Sequence, residues 1–477
     1  MPASSHGARK SHDPPGSRYR GKESMKKYDI VIIGSGSGGN ILEYALGGGY
    51  SVAMIDRGPA GGTCLNSGCI PSKLLIAAAD RVMEIREAER FGIVSPVEEI
   101  DFTSIMEFMR SYVDHQHGSI REGLLSGEGF DFYDEETRFV GDRTLETGDG
   151  PVEGGKVFIA AGSRTLIPPV EGLENVPYLT SESLLRLEDP PGSMIIIGGG
   201  YIAAEYGHFF SAMGTAVTIV QMEDTLVPGE DAEVSELLTS ELSGRMDIHT
   251  SMKAVSAERT PNGCRVRAEE MSGGGAGEFE AETLLIAAGR VPNSDTLDPG
   301  KTGVETDENG FIVTDAYLET SREGIWAVGD INGREMFTHT ANAESRAAWH
   351  NAVHEKTRRF DYSAVPHAVF TRPRIASVGL TEKRASAGRE VRVSRVEFGD
   401  TPRGKAERVG AGFAKAVIDA ESGIILGFHI IGPEAPSLIQ EVANAMAGGG
   451  DAGEILSGVH IHPAMPEIVL RAVIEGY

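Results

Sequence analysis

Cysteine is scarce in this chain: three in 477 residues, at positions 64, 69 and 264. So few thiols cannot staple a chain this long, and a length that supports about three separate cores has no need of staples. Long hydrophobic runs are missing as well. No apolar stretch is long enough to span a bilayer, so the expectation is a soluble, cytoplasmic protein without membrane contact. Positive charge is in deficit, with 44 Lys and Arg against 70 Asp and Glu and a net charge of -26. Most of such a surface repels a phosphate backbone, which excludes general nucleic-acid binding. Residues 1–25 lack the apolar segment of a signal peptide; polar and rich in Pro, Gly and Ser, they are expected to form a disordered tail outside the fold.

What is abundant is glycine, at 61 residues, and its placement is informative. KKYDIVIIGSGSGGNILEYALGGGYSVAMIDRG reads as strand, turn, helix and strand. The apolar run Ile30–Ile33 enters Gly34-x-Gly36-x-x-Gly39, and a second strand ends at Asp56, 22 residues after Gly34. Gly34 permits a tight turn, Gly36 lets backbone N–H groups approach a pyrophosphate, Gly39 allows close helix–strand packing, and Asp56 can accept from a ribose hydroxyl.

The pattern returns in GSMIIIGGGYIAAEYGHFFSAMGTAVTIVQ, with Gly198, Gly200 and Ala203 at the same spacing and Gln221 closing the second strand, 23 residues after Gly198. Two dinucleotide sites imply two dinucleotides, and a protein holding both is expected to pass electrons between a nicotinamide and a flavin. The alternative is a duplicated unit that kept one site. Gln221 is neither the carboxylate that suits the free hydroxyl of NAD nor the arginine that suits the phosphate of NADP, so the nicotinamide choice stays open.

Cys64 and Cys69 lie in GGTCLNSGCIPSK. A metal site needs three or four ligands, and Cys264 is distant with no His or Cys beside it, so no metal is expected. A staple closing so short a loop removes little entropy from the unfolded chain. Redox work is the favoured role. Five residues of regular helix rise about 7.5 Å, beyond the usual Cα separation of a disulfide, about 4.4–6.8 Å; the pair therefore requires a distorted turn, which Asn66 and Gly68 permit. Pro71 suits the first turn of a following helix, which puts Cys69 near a helix start where the dipole and Lys73 stabilise a thiolate. Cys264 alternates with charged residues on a strand and needs no function. The segment EEIDFTSIMEFMRSYVDHQHGSIREGL reads as an exposed helical excursion without identifiable chemistry, and MSGGGAGEFEAE as a hairpin loop.

From residue 26 onward the chain resembles the flavin-dependent pyridine nucleotide-disulfide oxidoreductases, the family of dihydrolipoyl dehydrogenase, glutathione reductase, mycothione reductase and mercuric reductase. The resemblance is carried by GGTCLNSGCIPSK, GGGYIAAE, LLIAAGRVPN, GIWAVGDINGREMFTHTANAES, VFTRPRIASVGLTE, GFHIIGPEAPSLIQEV and HIHPAMPE. It implies two doubly wound, Rossmann-like α/β domains and a C-terminal α+β dimerisation domain: FAD binding at 26–165, NAD(P) binding at 166–287, a return to the FAD domain at 288–355, and dimerisation at 356–477.

The resemblance also implies roles. Cys64 is the interchange thiol that meets the substrate sulfur, and Cys69 the thiol against the flavin. His462 is the general acid/base, oriented by Glu467, and acts on the cysteines of the other subunit of a homodimer. Lys73 and Glu205 form an ion pair near the flavin's reactive nitrogen. Asp330 binds the ribityl chain, Gly162 lies in the turn where the chain leaves the first segment, and Gly289 marks its return. His460 reads as a hydrogen-bonded neighbour of His462, and His339 as a structural histidine at the edge of the flavin region.

For the substrate, the leading expectation is dihydrolipoyl dehydrogenase, on CLNSGCIPSK and HIHP, with dihydrolipoyl groups reducing the cysteine pair and NAD taking the electrons; the reductase that follows is its alternative. GSGSGGN, HPAMPE and Gln221 favour a reductase of a small-thiol disulfide of glutathione, mycothione or bis-γ-glutamylcystine type. Mercuric reduction is set aside because no further cysteines stand near the C-terminus. An NAD(P)H oxidase or diaphorase, or a non-catalytic subunit, is the alternative of another class, and the retained cysteines, His462 and Glu467 argue against both.

Overall fold

The computed structural model describes residues 25–477; the tail read at 1–25 falls almost wholly outside them. Parallel strands open the fold in the order Phe130–Asp134, Val52–Asp56, Lys26–Ile33, Val152–Ile159, and Ile325–Ala327 pairs with the last of these. Successive residues of a strand face opposite sides. Ile30 and Ile32 therefore join Ile41, Leu42, Ala347 and Ala348 in one buried layer, while Val31 and Ile33 join Phe139 and Val157 in another. A sheet covered on both faces needs the continuous β-branched runs seen in the sequence.

The chain then builds a second parallel sheet, ordered Asp247–His249, Ala216–Val220, Ser193–Ile197, Thr283–Ile286, beside an antiparallel sheet of Met252–Thr260, Gly263–Glu270 and Ala276–Ala281. The segment read as a hairpin loop thus carries a strand, with only 271–275 left to turn. Cys264 is buried in this sheet. The chain leaves the first unit along Ser163–Thr165 and returns along Arg290–Pro292, and the two pair antiparallel. Arg290 reinforces the ribbon by donating to Ser163 Oγ at 2.7 Å and Ser163 O at 2.8 Å.

Five antiparallel strands end the fold, ordered Pro366–Val369, Ile375–Gly379, Ile425–Ile431, Phe413–Asp419, Val391–Glu397. Helices Ala435–Ala447 and Glu467–Gly476 bury Leu438, Ile439, Val469 and Val473 against them. The architecture is α/β with two doubly wound units and an α+β C-terminal unit.

Helix Cys69–Glu87 lies where the units meet. Its Leu75 and Ala79 share a core with Phe209 and Phe210 of helix Tyr201–Met213 and Met106 and Met109 of helix Phe102–Ser126. Two buried polar contacts cross the same seam, Lys73 to Glu205 and Asp80 to His208. The excursion expected to be exposed is therefore half-buried, since Phe102, Met106, Met109 and Val113 recur at helical spacing on one face.

Candidate active site

One cleft of ≈ 2830 Å³ runs through the first unit and past both cysteines, lined among others by Gly34, Gly36, Asp56, Gly162, Asp330, Cys64, Cys69, Lys73 and Glu205. Its floor is the first glycine turn. Gly34 has φ +98°, and a Cβ there would meet Ala160 O at 2.3 Å, so only glycine fits. A Cβ on Gly36 would touch only Gly62 Cα, at 3.6 Å, which leaves bare backbone facing the cleft. Asp56 accepts from Ser35 N at 2.5 Å and Gly58 N at 2.8 Å and so ties the glycine turn to the loop that follows strand Val52–Asp56 while lining the cleft. The reason given for Gly39 needs correction: nothing lies within 4 Å of a Cβ at that position, and the close approach falls one residue earlier, where a Cβ on Gly38 would meet Ile32 Cγ2 at 2.9 Å. In the second turn the matching residue is Ala203, which is fully buried, so the position tolerates a methyl group.

The second glycine turn lies outside that cleft. Gly198 has φ +113° with Ala287 O at 2.3 Å from a hypothetical Cβ, and Gly200 has nothing within 4 Å, which leaves room for a pyrophosphate. Gln221 is buried against Gly199, with Oε1 accepting from Met222 N at 3.0 Å and Nε2 donating to Thr225 O at 3.4 Å. Exposed Met222, Glu223 and Asp224 follow it. Gly289, φ +126°, opens the returning strand of the ribbon.

The cysteines sit on the required broken turn. Cys64 is in the short helix Gly62–Asn66, Ser67 and Gly68 interrupt it, and Cys69 is the first residue of Cys69–Glu87. Gly68 is obligatory, because a Cβ would lie 2.9 Å from Thr63 O. Asn66 Nδ2 ties the short helix down by donating to Ala60 O at 2.9 Å and Gly62 O at 2.8 Å. Thr338, at the start of helix Thr338–Val353, places its hydroxyl 3.5 Å from Cys69 Sγ. Two helix N-termini thus converge on one sulfur, an arrangement that favours negative charge there. The hydrogen bond from Cys64 holds the Cys69 thiol down at about 6, with Thr338 and Lys73 adding to the effect against burial. That same bond, together with burial, pushes the Cys64 thiol up. The pair is therefore a thiolate at Cys69 and a thiol at Cys64. Replacing Thr338 by Val removes a donor from the thiolate, and titrating the reduced protein by thiolate absorbance is expected to show the Cys69 step moving up from about 6 toward the free-cysteine value.

Lys73 Nζ is 2.9 and 2.7 Å from the two oxygens of Glu205, and Phe370 N donates to Glu205 Oε1 at 2.9 Å. Lys73 also stands 4.7 Å from the centre of the Phe370 ring. Glu205 is buried by this arrangement and is not a solvated surface carboxylate. Asp330 accepts from Ser163 Oγ at 2.5 Å, and Arg290 stands 3.7 Å away. The turn carrying Asp330 is held from behind by fully buried Glu344, which accepts from Gly329 N, Asn332 Nδ2 and Tyr362 OH; burial pushes the Glu344 carboxyl up. Thr338 and Arg290 escape a sequence reading because each acts through a partner far along the chain, and Glu344 because nothing local says which atoms it will meet, although all three lie within quoted stretches.

His462 and Glu467 do not line the cleft. His462 is two-thirds exposed, its Nδ1 is 2.8 Å from Glu467 Oε1, and Glu467 Oε2 accepts from Ala464 N at 3.1 Å. The bond to His462 holds the Glu467 carboxyl below its usual range. Nδ1 being engaged, Nε2 is the free nitrogen. His460 is paired with Glu441 at 2.8 Å, and His339, exposed and lining the cleft, with Pro366 O at 2.7 Å. Among the described residues no cluster of three or more metal-ligating side chains is gathered, and no helix is long and apolar enough to cross a membrane.

Two glycine turns on doubly wound sheets, with a dithiol and a buried ion pair between them, define a flavoprotein that exchanges electrons between a nicotinamide and a sulfur pair. The chain belongs to the pyridine nucleotide-disulphide oxidoreductase family, whose pattern it matches over residues 28–353, followed by the family's dimerisation domain over 365–473. Its relatives include mycothione reductase of Mycobacterium tuberculosis, 37% identical over 472 residues that cover 94% of this chain and 99% of that protein. Dihydrolipoyl dehydrogenase of Halobacterium salinarum is 33% identical, covering 93% and 95%. Among solved structures, the HOCl-induced flavoprotein disulfide reductase RclA from Escherichia coli superposes with a TM-score of 0.83 at 27% identity, covering 94% of this chain and 99% of that one. The cofactors are FAD and NAD(P)H. The first glycine turn, Asp56 and Asp330 make a cradle that fits FAD, and Gly198 and Gly200 one that fits the nicotinamide nucleotide.

Proposed function

We propose that this chain is a homodimeric, NADH-dependent reductase of a small-thiol disulfide of the mycothione kind, working through Cys64 and Cys69. The observation that carries it is the geometry of the dithiol: Cys64 on a broken turn, Cys69 opening helix Cys69–Glu87 with the Thr338 hydroxyl 3.5 Å from its sulfur, and Lys73, one turn along that helix, paired with Glu205. Cys64, once deprotonated by His462 of the second subunit, attacks one substrate sulfur. The substrate S–S bond breaks, and the leaving thiolate takes the proton from His462. The Cys69 thiolate then attacks the Cys64 sulfur of the mixed disulfide, the bond from Cys64 to the substrate sulfur breaks, the second substrate half leaves as a thiolate that takes its proton from water, and the Cys64–Cys69 disulfide closes. FAD, held by the first glycine turn, Asp56 and Asp330, would supply the two-electron path between a nicotinamide and that disulfide. Lys73, held by Glu205 and set against the Phe370 ring, is placed where its ammonium favours negative charge on Cys69.

Identity favours this substrate class, at 37% to mycothione reductase against 33% to dihydrolipoyl dehydrogenase. Dihydrolipoyl oxidation, which runs the same exchange backwards, is the second reading, favoured by CLNSGCIPSK and HIHP. NADH is preferred to NADPH because Glu223 and Asp224 stand just beyond Gln221, where a 2'-phosphate requires a cation. The test is a rate panel: mycothione, glutathione disulfide and bis-γ-glutamylcystine with NADH and NADPH, then dihydrolipoamide with NAD. Fast mycothione reduction with NADH, at least about tenfold over NADPH, is the expected result. Dihydrolipoamide turnover faster than that of every disulfide overturns it in favour of the second reading.

A further inference from the structure

A second carboxylate–imidazole pair stands in the cleft. His367 lies on strand Pro366–Val369 and lines the same cleft as Cys69, Lys73 and Glu205. Its Nε2 donates to Glu230 Oε1 at 2.7 Å, and Glu230, on the loop before helix Ala232–Ser243, accepts from Ser377 Oγ at 2.6 Å through its other oxygen. The His367 ring lies parallel to Phe337, 5.5 Å between centroids and 3° between planes. The imidazole is thus fixed by a buried carboxylate at one edge and an aromatic ring on one face. Its Nδ1 has no hydrogen-bond partner among the described residues and is not sealed from solvent.

Three contacts put the pair on the nicotinamide side. Phe337 also meets Tyr201, 6.3 Å between centroids, and Tyr201 begins the helix that follows the second glycine turn. Phe370, just past the His367 strand, holds Glu205 of that helix. The loop bearing Glu230 is tied to the turn itself by Val227 N donating to Gly199 O at 2.7 Å. Val227 takes φ +44° to make that bond, a conformation a β-branched residue rarely adopts.

We propose that Glu230 and His367 form an oriented dyad that binds the reduced nicotinamide nucleotide, with His367 donating Nδ1–H to an oxygen of its nicotinamide–ribose half. The dyad has a built-in pH dependence. Since Nε2–H is committed to Glu230, Nδ1 carries a proton only in the imidazolium; the neutral ring presents a lone pair instead. Burial disfavours that cation, but the hydrogen bond and charge of Glu230, with Glu335 adding, win and push His367 up. The other titratable groups around it are His339, stacked on Phe337, and His429, close to Glu230 and held down by burial. Burial also pushes the Glu335 carboxyl up. The donor is thus present below the raised His367 value and lost as pH rises through it.

The test uses the FAD-loaded protein with two readouts, the Kd for NAD by titration calorimetry, which needs no turnover and is expected to follow the KM in every variant, and NADH-dependent reduction of ferricyanide, which needs no disulfide substrate. The inference rests on the family's use of nicotinamide nucleotide, so a wild-type protein inactive in this assay indicts the functional reading, whereas the variants judge the dyad. His367→Asn is expected to raise the KM for NADH by about tenfold or more, the size of one charge-assisted hydrogen bond, with a much smaller change in kcat. The wild-type KM is expected to climb with pH while that of the variant stays flat. His367→Gln, with a longer amide, is expected to recover part of the affinity and lose the pH dependence. A KM and pH profile unchanged in both variants overturns the proposal, even if thermal stability falls, because the dyad is then only a strut between units. If neither variant retains FAD, a wild-type KM that is independent of pH overturns it equally.

Discussion

Two inactive proteins, one carrying Cys64→Ser and the other His462→Gln, are expected to regain disulfide reductase activity when their subunits are mixed. In a two-fold dimer with shared sites, each hybrid has one site with both lesions and one with neither, so random pairing restores about a quarter of wild-type activity. The expectation comes from what one chain lacks. The Cys64 thiol is pushed up by its bond to Cys69 and by burial, so it needs a base at the moment of attack. His462 has that capacity, with Glu467 on Nδ1 and Nε2 free, yet it stands outside the cleft of its own chain. Val459 and Ile461 beside it are exposed apolar residues, fully so at 459, as befits a surface that meets another subunit. Mixed dimers, verified by differential tagging, that show no recovery would place the acid/base elsewhere.

The second large effect separates the two halves of the reaction. Cys64→Ser alone is expected to lower disulfide reduction by about three orders of magnitude or more, since no other sulfur can form the mixed disulfide. NADH-dependent ferricyanide reduction is expected to change by less than about fivefold, because electron flow from nicotinamide to flavin does not pass through that sulfur. The serine hydroxyl can still donate to Cys69 as the thiol does, so the Cys69 thiolate step is expected to stay depressed, near about 6. A variant with full disulfide activity sinks the dithiol mechanism. One that loses dye reduction in parallel would show Cys64 supporting the flavin site itself.

Much of this was legible in the sequence because the signals are local. A glycine turn is set by sterics over six residues, and the structure returns Gly34 and Gly198 at positive φ with a carbonyl where a Cβ would sit. The broken helix between the cysteines follows likewise from Asn66, Gly68 and Pro71. Where a local rule misled, at Gly39, the helix had merely presented a different glycine to the strand, a difference of one position that spacing cannot resolve. The burial of helix Phe102–Ser126 was missed because charged residues mask an apolar face that repeats every three to four positions. Thr338, Glu344 and the Glu230–His367 pair were out of reach for another reason. Their partners lie between 12 and 269 positions away, and nothing in a threonine or a glutamate announces which distant atom it will meet.

The ribbon of Ser163–Thr165 on Arg290–Pro292 bears on how such a chain could be assembled or rebuilt. Since Ser163 pairs with Pro292 and Thr165 with Arg290, the two ends of everything between them lie side by side. A module whose ends meet can be cut out and exchanged without stretching the rest of the chain, so this segment is the natural cassette for grafting another nucleotide preference onto the same dithiol. The graft needs its new seam to reproduce more than the splice: a carboxylate for Lys73, a partner for Asp80, one for His367 and carboxylates for buried Lys415 are all supplied from inside the cassette.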